Sequence, residues 1–144
     1  MIRIVAVGKL KNKSLATLAE DYLKRCGGMV PCEVATVKDT DPAREGHEML
    51  RKLGSPAGNE LVIALDERGE EFTSQQLADL LGRHGKIAFL VGGADGLGPA
   101  ARQRAARTVR LSALTLTHEM ARVLLLEQIY RGLCILRNRP YHRD

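Results

Sequence analysis

Apolar residues fall along this chain in short runs that alternate with stretches of helical spacing. Residues 2–7 (Ile-Arg-Ile-Val-Ala-Val) form a run closed by Gly8, the mark of a buried strand. A basic link over 9–13 leads to Ser14, a residue suited to cap a helix. Leu15, Leu18, Ala19, Tyr22 and Leu23 then share one helical stripe, which stops at Gly27 and Gly28. Residues 32–37 predict a second strand, and Asp41-Pro42 opens a helix through Leu53, with the acid as cap and proline at the first helical position. Gly54-Ser55-Pro56-Ala57-Gly58-Asn59 reads as a loop of turn formers. A third strand follows over 60–66, then a helix to about Arg83 that starts at the capping-box pair Thr73 and Gln76, then a fourth strand over 86–92. Pro99 begins a short helix ending near Arg107, and residues 108–114 make a fifth strand. Thr117 caps a last helix to about Leu136.

Strands alternating with helices predict a parallel sheet covered on both faces, an α/β architecture. No linker, repeat or low-complexity stretch divides the chain, so residues 1–144 read as a single domain. The last helix is apolar on more than one face, which places it in the core or against another chain.

Charge sharpens this picture. Residues 1–100 carry 13 Lys and Arg against 14 acids, whereas residues 101–144 carry 9 Arg, no Lys and 3 acids. An all-arginine excess suits phosphate, through bidentate pairing, and makes RNA a natural partner; a solvated helix face is the competing reading. Aromatics at 3% argue against a base-stacking sheet. The apolar runs are far shorter than the ~20 residues of a membrane span, and the N-terminus lacks the signature of a signal peptide. Cys26, Cys32 and Cys134 form no Cys-x-x-Cys pair and read as reduced thiols of a cytoplasmic protein.

Ligands of open α/β sheets bind at the carboxyl ends of strands. Three such ends stand out: Leu65-Asp66; the glycine-dense run Gly92-Gly93-Ala94-Asp95-Gly96-Leu97-Gly98; and Ser112-Ala113-Leu114-Thr115-Leu116-Thr117. The run Gly96-Leu97-Gly98-Pro99-Ala100-Ala101 formally fits a dinucleotide fingerprint, but it follows the fourth strand instead of the first. No Walker loop, no metal-ligand spacing among His47, His84, His118 and His142, and no Gly-x-Ser-x-Gly element is present. His118, beside the Thr117 cap, reads first as a structural histidine. His142 lies in the polar cluster Tyr141-His142-Arg143, where a frayed terminus is the competing reading.

These motifs resemble the RlmH family of SPOUT methyltransferases, bacterial enzymes that methylate N3 of a pseudouridine in large-subunit (23S) ribosomal RNA. The resemblance is carried by Phe89-Leu-Val-Gly-Gly-Ala-Asp-Gly-Leu97, Leu111-Ser-Ala-Leu-Thr-Leu-Thr-His118, Arg122-Val-Leu, Glu127-Gln-Ile-Tyr-Arg131 and Asn138-Arg-Pro-Tyr-His-Arg-Asp144. It implies a three-layer SPOUT fold with a C-terminal trefoil knot, a homodimer whose sites are completed by the partner, and S-adenosylmethionine as cofactor. The cofactor-binding residues it implies are Leu65, Gly93, Ser112, Ala113, Leu114, Thr115, Leu116 and Thr117. Many relatives carry Gly-Gly-Pro-Glu-Gly and Leu-Pro-His where this chain has Ala94-Asp95 and Thr117.

Methyl transfer from a sulfonium needs no metal; the protein must align the target nitrogen and help remove its proton. His142 is the candidate base or proton relay. Arg143 and Tyr141 accompany it, and Arg122 and Arg139 are candidates for holding RNA phosphate or developing negative charge. The expected substrate is the assembled ribosome, read by shape. Two rival readings are a non-catalytic ribosome-binding factor and a dinucleotide-dependent oxidoreductase using the Gly96–Ala101 fingerprint.

Overall fold

The computed structural model describes residues 1–55 and 59–143. Within these, strands and helices alternate: β1 (Ile2–Val7), α1 (Lys13–Gly27), β2 (Cys32–Val37), α2 (Pro42–Leu53), β3 (Leu61–Glu71), α3 (Ser74–Arg83), β4 (Ile87–Val91), α4 (Pro99–Arg104), β5 (Arg107–Arg110) and α5 (His118–Leu136). The strands form one parallel sheet in the order β2-β1-β4-β3-β5, with Ile2 opposite both Cys32 and Ile87. The expected α/β architecture is therefore present.

The two-residue period of the strands decides the layers. Ile4, Ile63, Phe89 and Val91 belong to the cluster under α1, α3 and α5, whereas Val5, Val62, Ala88 and Leu90 pack under α2 and α4. Phe89, Ile4, Ile63 and Leu90 are fully buried, and each large apolar side chain so placed contributes roughly 1.5–3 kcal/mol. The crossovers β1 to β2 and β3 to β4 step one way along the sheet and carry α1 and α3 on one face. The crossovers β2 to β3 and β4 to β5 step the other way and carry α2 and α4 on the opposite face. A single crossover handedness demands that sorting.

Local chemistry fixes most helix starts. Thr73 and Gln76 form the reciprocal box their spacing predicts, with Gln76 N donating to Thr73 Oγ1 at 3.1 Å and Thr73 N to Gln76 Oε1 at 2.9 Å. Asp41 caps α2 ahead of Pro42, and Thr117 caps α5 by accepting from Met120 N at 3.2 Å.

Four boundaries depart from the pattern. Asn12, not Ser14, caps α1, accepting from Leu15 N at 3.1 Å. β3 continues past Asp66 to Glu71, because its pairing with β5 slips: Leu65 and Glu70 both stand opposite Val109, and the residues between them leave the register as a bulge. α4 ends at Arg104, since Ala106 N already donates to Val62 O at 2.8 Å and draws the chain into the sheet. β5 stops at Arg110 because Ser112 Oγ accepts from Leu114 N at 2.9 Å, a local bond that replaces the ladder. Of the turn expected over 54–59, residues 56–58 lie outside the described residues, as does Asp144 of the tail.

α5 lies between α1 and α3 and buries Val123, Leu125, Leu126, Ile129 and Leu133. No helix among the described residues is long and apolar enough to cross a membrane.

Candidate active site

The carboxyl ends of β3, β4 and β5 open on a cleft of about 560 Å³, a volume typical of small-ligand sites. One wall is the turn after β4. Gly96 N donates to Gly93 O at 3.1 Å, and Gly96 holds φ at +79°, where a side chain is strained. A Cβ on Gly92 would stand 2.6 Å from the carbonyl carbon of Gly96, so this turn closes only around glycine. The second wall is the loop over 111–117, running from β5 to the cap of α5. The third is the β3 bulge, where the largely buried Asp66 carboxylate lies 3.0 Å from the Arg102 guanidinium and 3.8 Å from that of Arg68.

Leu65, Gly93, Ser112, Leu114, Thr115, Leu116 and Thr117 all line this cleft; Ala113 sits in the same loop without lining it. Glu67, Arg68, Arg102 and Arg110 also line it; none was legible beforehand, because the bulge that brings two of them there has no local signature. His118, read above as structural, is on the cleft wall too, since the Thr117 cap makes it the first residue of α5. The nucleotide fingerprint loses its basis here. A Cβ at Gly98 would collide with the backbone of Pro42 in α2, so this glycine serves helix packing, and the helix it opens has only 6 residues.

The tail folds back along α5. Asn138 adopts φ +54°, Asn138 N donates to Ile135 O at 3.2 Å and Arg139 N to Cys134 O at 2.9 Å, so the end of the helix is closed by a left-handed residue. Arg137 donates to Met29 O. The Tyr141 ring meets that of Tyr130 edge-on at 4.8 Å, and its hydroxyl lies 3.2 Å from the Tyr22 hydroxyl and 3.3 Å from Glu127 Oε1. Burial, the Tyr22 contact and the Glu127 charge together push the Tyr141 phenol above its ordinary value, so it stays protonated. Arg131 pairs with Glu127 at 2.7 Å, lies over the Tyr141 ring at 4.7 Å and reaches His142 Nδ1 at 3.2 Å. Its hydrogen bond to Glu127 raises its pKa. A guanidinium only donates, so Nδ1 accepts, and a neutral His142 in this arrangement carries its proton on Nε2. The tail thus has a defined place, unlike a frayed end.

That place is not its own chain's cleft. Tyr130 is twelve residues along α5 from the cleft-lining His118, roughly 18 Å at 1.5 Å per residue. Tyr141 and His142 are therefore brought together with Glu127 and Arg131, and not with the strand ends, while Arg143 beside them is exposed.

The two arginines assigned to RNA differ. Arg139 is exposed. Arg122 is only 4% exposed and donates through Nη2 to Val7 O at 2.7 Å and Gly8 O at 2.9 Å. In this fold it braces β1 against α5. Burial pushes its guanidinium below the ordinary value, opposed by the charge of Glu119.

The family model described as "Predicted SPOUT methyltransferase" matches residues 1–142. Ribosomal RNA large subunit methyltransferase H of Polynucleobacter asymbioticus is 44% identical over 99% of both chains. Its namesake in Desulfovibrio desulfuricans is 43% identical over 98% of this chain and 96% of that one. The chain belongs to the RlmH family of SPOUT methyltransferases. Solved structures share this fold at low identity. A probable methylase family protein from Haemophilus influenzae superposes with a TM-score of 0.62 at 17% identity, covering 99% of this chain and 70% of that one. A probable methyltransferase from Bordetella pertussis gives 0.58 at 17% identity, covering 92% and 93%.

Proposed function

We infer that this chain is the enzyme that moves a methyl group from S-adenosylmethionine to N3 of a pseudouridine in large-subunit ribosomal RNA, acting on assembled ribosomes in the cytoplasm as a homodimer. The carrying observation is the separation just described: a ligand-sized cleft at one end of α5 and a fixed polar cluster of Glu127, Arg131, Tyr141 and His142 toward the other. A second copy of the chain laid along α5 supplies the tail that each cleft lacks. Exposed Leu18, Leu114, Met120 and Leu136, at 42%, 77%, 47% and 43%, support an apolar interface beside both. The return of the chain from β5 through 111–117 to the β1 side is also the segment we read as the knot loop.

The cleft fits the cofactor. Leu65, Val91, Leu97 and Leu116 offer an apolar wall to an adenine ring, and the loops over 92–97 and 111–117 present backbone groups outside the sheet ladder. When bound, S-adenosylmethionine supplies an electrophilic methyl group. The chain must then position a uracil-type ring and stabilise its negative charge as the N3 proton passes to solvent water. Arg131, Arg143 and the Nε2–H of His142 are donors suited to developing negative charge. His142 acts as base or proton relay only if Arg131 releases Nδ1; with that contact made it serves as a donor.

The deciding experiment is transfer of labelled methyl from S-adenosylmethionine to assembled ribosomes, separated subunits and protein-free ribosomal RNA. Label on large-subunit RNA of assembled ribosomes is expected. Cofactor binding with no label on any RNA would sink the substrate assignment. Ribosome binding indifferent to the cofactor would favour a non-catalytic factor.

A further inference from the structure

We propose that the link between β1 and α1, residues 8–13, is a docking surface for the phosphate backbone of the RNA substrate, held at the rim of the cleft by the first turn of α5. The inference rests on the methyltransferase reading above. Lys9, Lys11 and Lys13 are exposed, and among the described residues no carboxylate forms an ion pair with any of them. Lys13 opens α1, whose first turn holds no acid. Three ammonium groups thus gather where the helix dipole is already positive. One carboxylate, that of Glu119, stands at the link and offsets part of that charge; an external polyanion offsets the rest.

The link is also fixed. Glu119 Oε1 accepts from Lys11 N at 3.0 Å and from Asn12 N at 3.1 Å, and these backbone donors hold its carboxyl below the usual range. Arg122 grips Val7 O and Gly8 O at the other end, and Leu10 packs against the core between the lysines. The same turn of α5 puts His118 on the cleft wall. Position completes the case: Ala6 pairs with Val91, and a Cβ on Gly93 would stand 3.1 Å from Val7 Cγ1. The link therefore leaves the sheet beside the glycine turn. A rigid basic segment there meets a polyanion with little ordering cost, and lysine reads phosphate as a point charge without regard to sequence.

The test titrates the whole chain with protein-free large-subunit rRNA over a series of KCl concentrations. The variant K9Q/K11Q/K13Q is expected to keep its cofactor affinity, bind rRNA more weakly, and lower the slope of log K against log salt by about 2, at roughly 0.7 per single-strand phosphate released. The charge-matched variant K24Q/K52Q/K86Q, altered at the opposite, amino-terminal end of the strands, is expected to keep the parent slope. A parent slope in the first variant, or equal losses in both, overturns the proposal. A loss seen with ribosomes but absent on protein-free rRNA would assign the link to an acidic protein surface and overturn it as well. Glu119→Ala separates position from charge: net charge alone makes this variant bind RNA more tightly, whereas a positioned link makes it bind more weakly. Tighter binding removes the brace from the account. A parent that transfers no methyl defeats the function reading, but normal transfer with an unchanged slope in the lysine variant defeats only this surface.

Discussion

Arg122→Met separates a brace from an RNA contact. The parent guanidinium makes two hydrogen bonds, to Val7 O and Gly8 O, from a residue 4% exposed. Hydrogen bonds from a charged donor are worth about 1.5–3 kcal/mol each, so the pair contributes about 3–6 kcal/mol before its cost is counted. Against this stands the burial of a cation whose Nε has no partner, a penalty that methionine removes. The two carbonyls left behind lose their donor, and the net loss is about 2–4 kcal/mol, in the range of large core perturbations. At this chain length the expected fall in Tm is about 5–15 °C, read by circular dichroism at one fixed protein concentration because the proposed dimer would melt by mass action. Cofactor affinity should fall with it, since the turn carrying Thr117 and His118 loses its anchor on β1. A variant with the parent Tm and cofactor affinity but lost rRNA binding would refute the brace and return Arg122 to the RNA surface.

Mixed dimers test the proposed shared site: Gly92→Ala, which cannot close the turn after β4, is combined one to one with His142→Ala, each expected to be inactive alone. Half of randomly paired dimers then hold one complete site, so about one quarter of the parent rate returns if cleft and tail come from different chains; no recovery would place the whole site in one chain. Glu45 is 5% exposed, and burial, with Asp39 and Asp41 adding to it, raises its pKa. The folded state therefore binds this proton more readily than the unfolded one, and stability falls as pH rises through the carboxylate range. Glu45→Gln keeps an acceptor for Thr40 N and should melt higher than the parent at neutral pH, the gap closing in acid; a lower Tm at neutral pH contradicts this. Tyr141→Phe removes the contacts to Tyr22 and Glu127 and should slow transfer without changing the shape of its pH–rate profile, because the phenol stays protonated. Loss of one limb of that profile would show that Tyr141 titrates in the reaction.

What could be read from the sequence follows the range of the forces involved. The capping box at Thr73 and the caps at Asp41 and Thr117 are local, so spacing alone reveals them. The strand ends that line the cleft were legible because apolar runs end there. The choice of Asn12 over Ser14 was not, since Asn12 N is held by Glu119, 107 residues away. The β3 bulge and the early end of β5 are decided by pairing between strands, which a single run of residues does not display. The place of the tail depends on Tyr22 from α1 and Tyr130 from α5 meeting Tyr141. Motif resemblance named those tail residues, but only packing shows that they sit beyond reach of their own cleft.

Charge shows the same limit in another form. The nine arginines of residues 101–144 look like the polyanion surface, and the first hundred residues look neutral. In the fold, Arg102, Arg107 and Arg110 pair with Asp66, Glu70 and Glu71, acids contributed by those first hundred residues. Arg131 pairs with Glu127, Arg122 faces carbonyls, and Arg137 reaches Met29 O. Exposed pairs of this kind add little stability, at roughly 0–1 kcal/mol each, but each cancels most of a local charge. Lys9, Lys11 and Lys13, from the stretch with no basic excess, form no ion pair among the described residues, and Glu119 at their link offsets only part of their charge. The field met by an RNA strand is set by which cations remain unpaired, so the apparently neutral first hundred residues carry more of it at the cleft rim than their composition indicates.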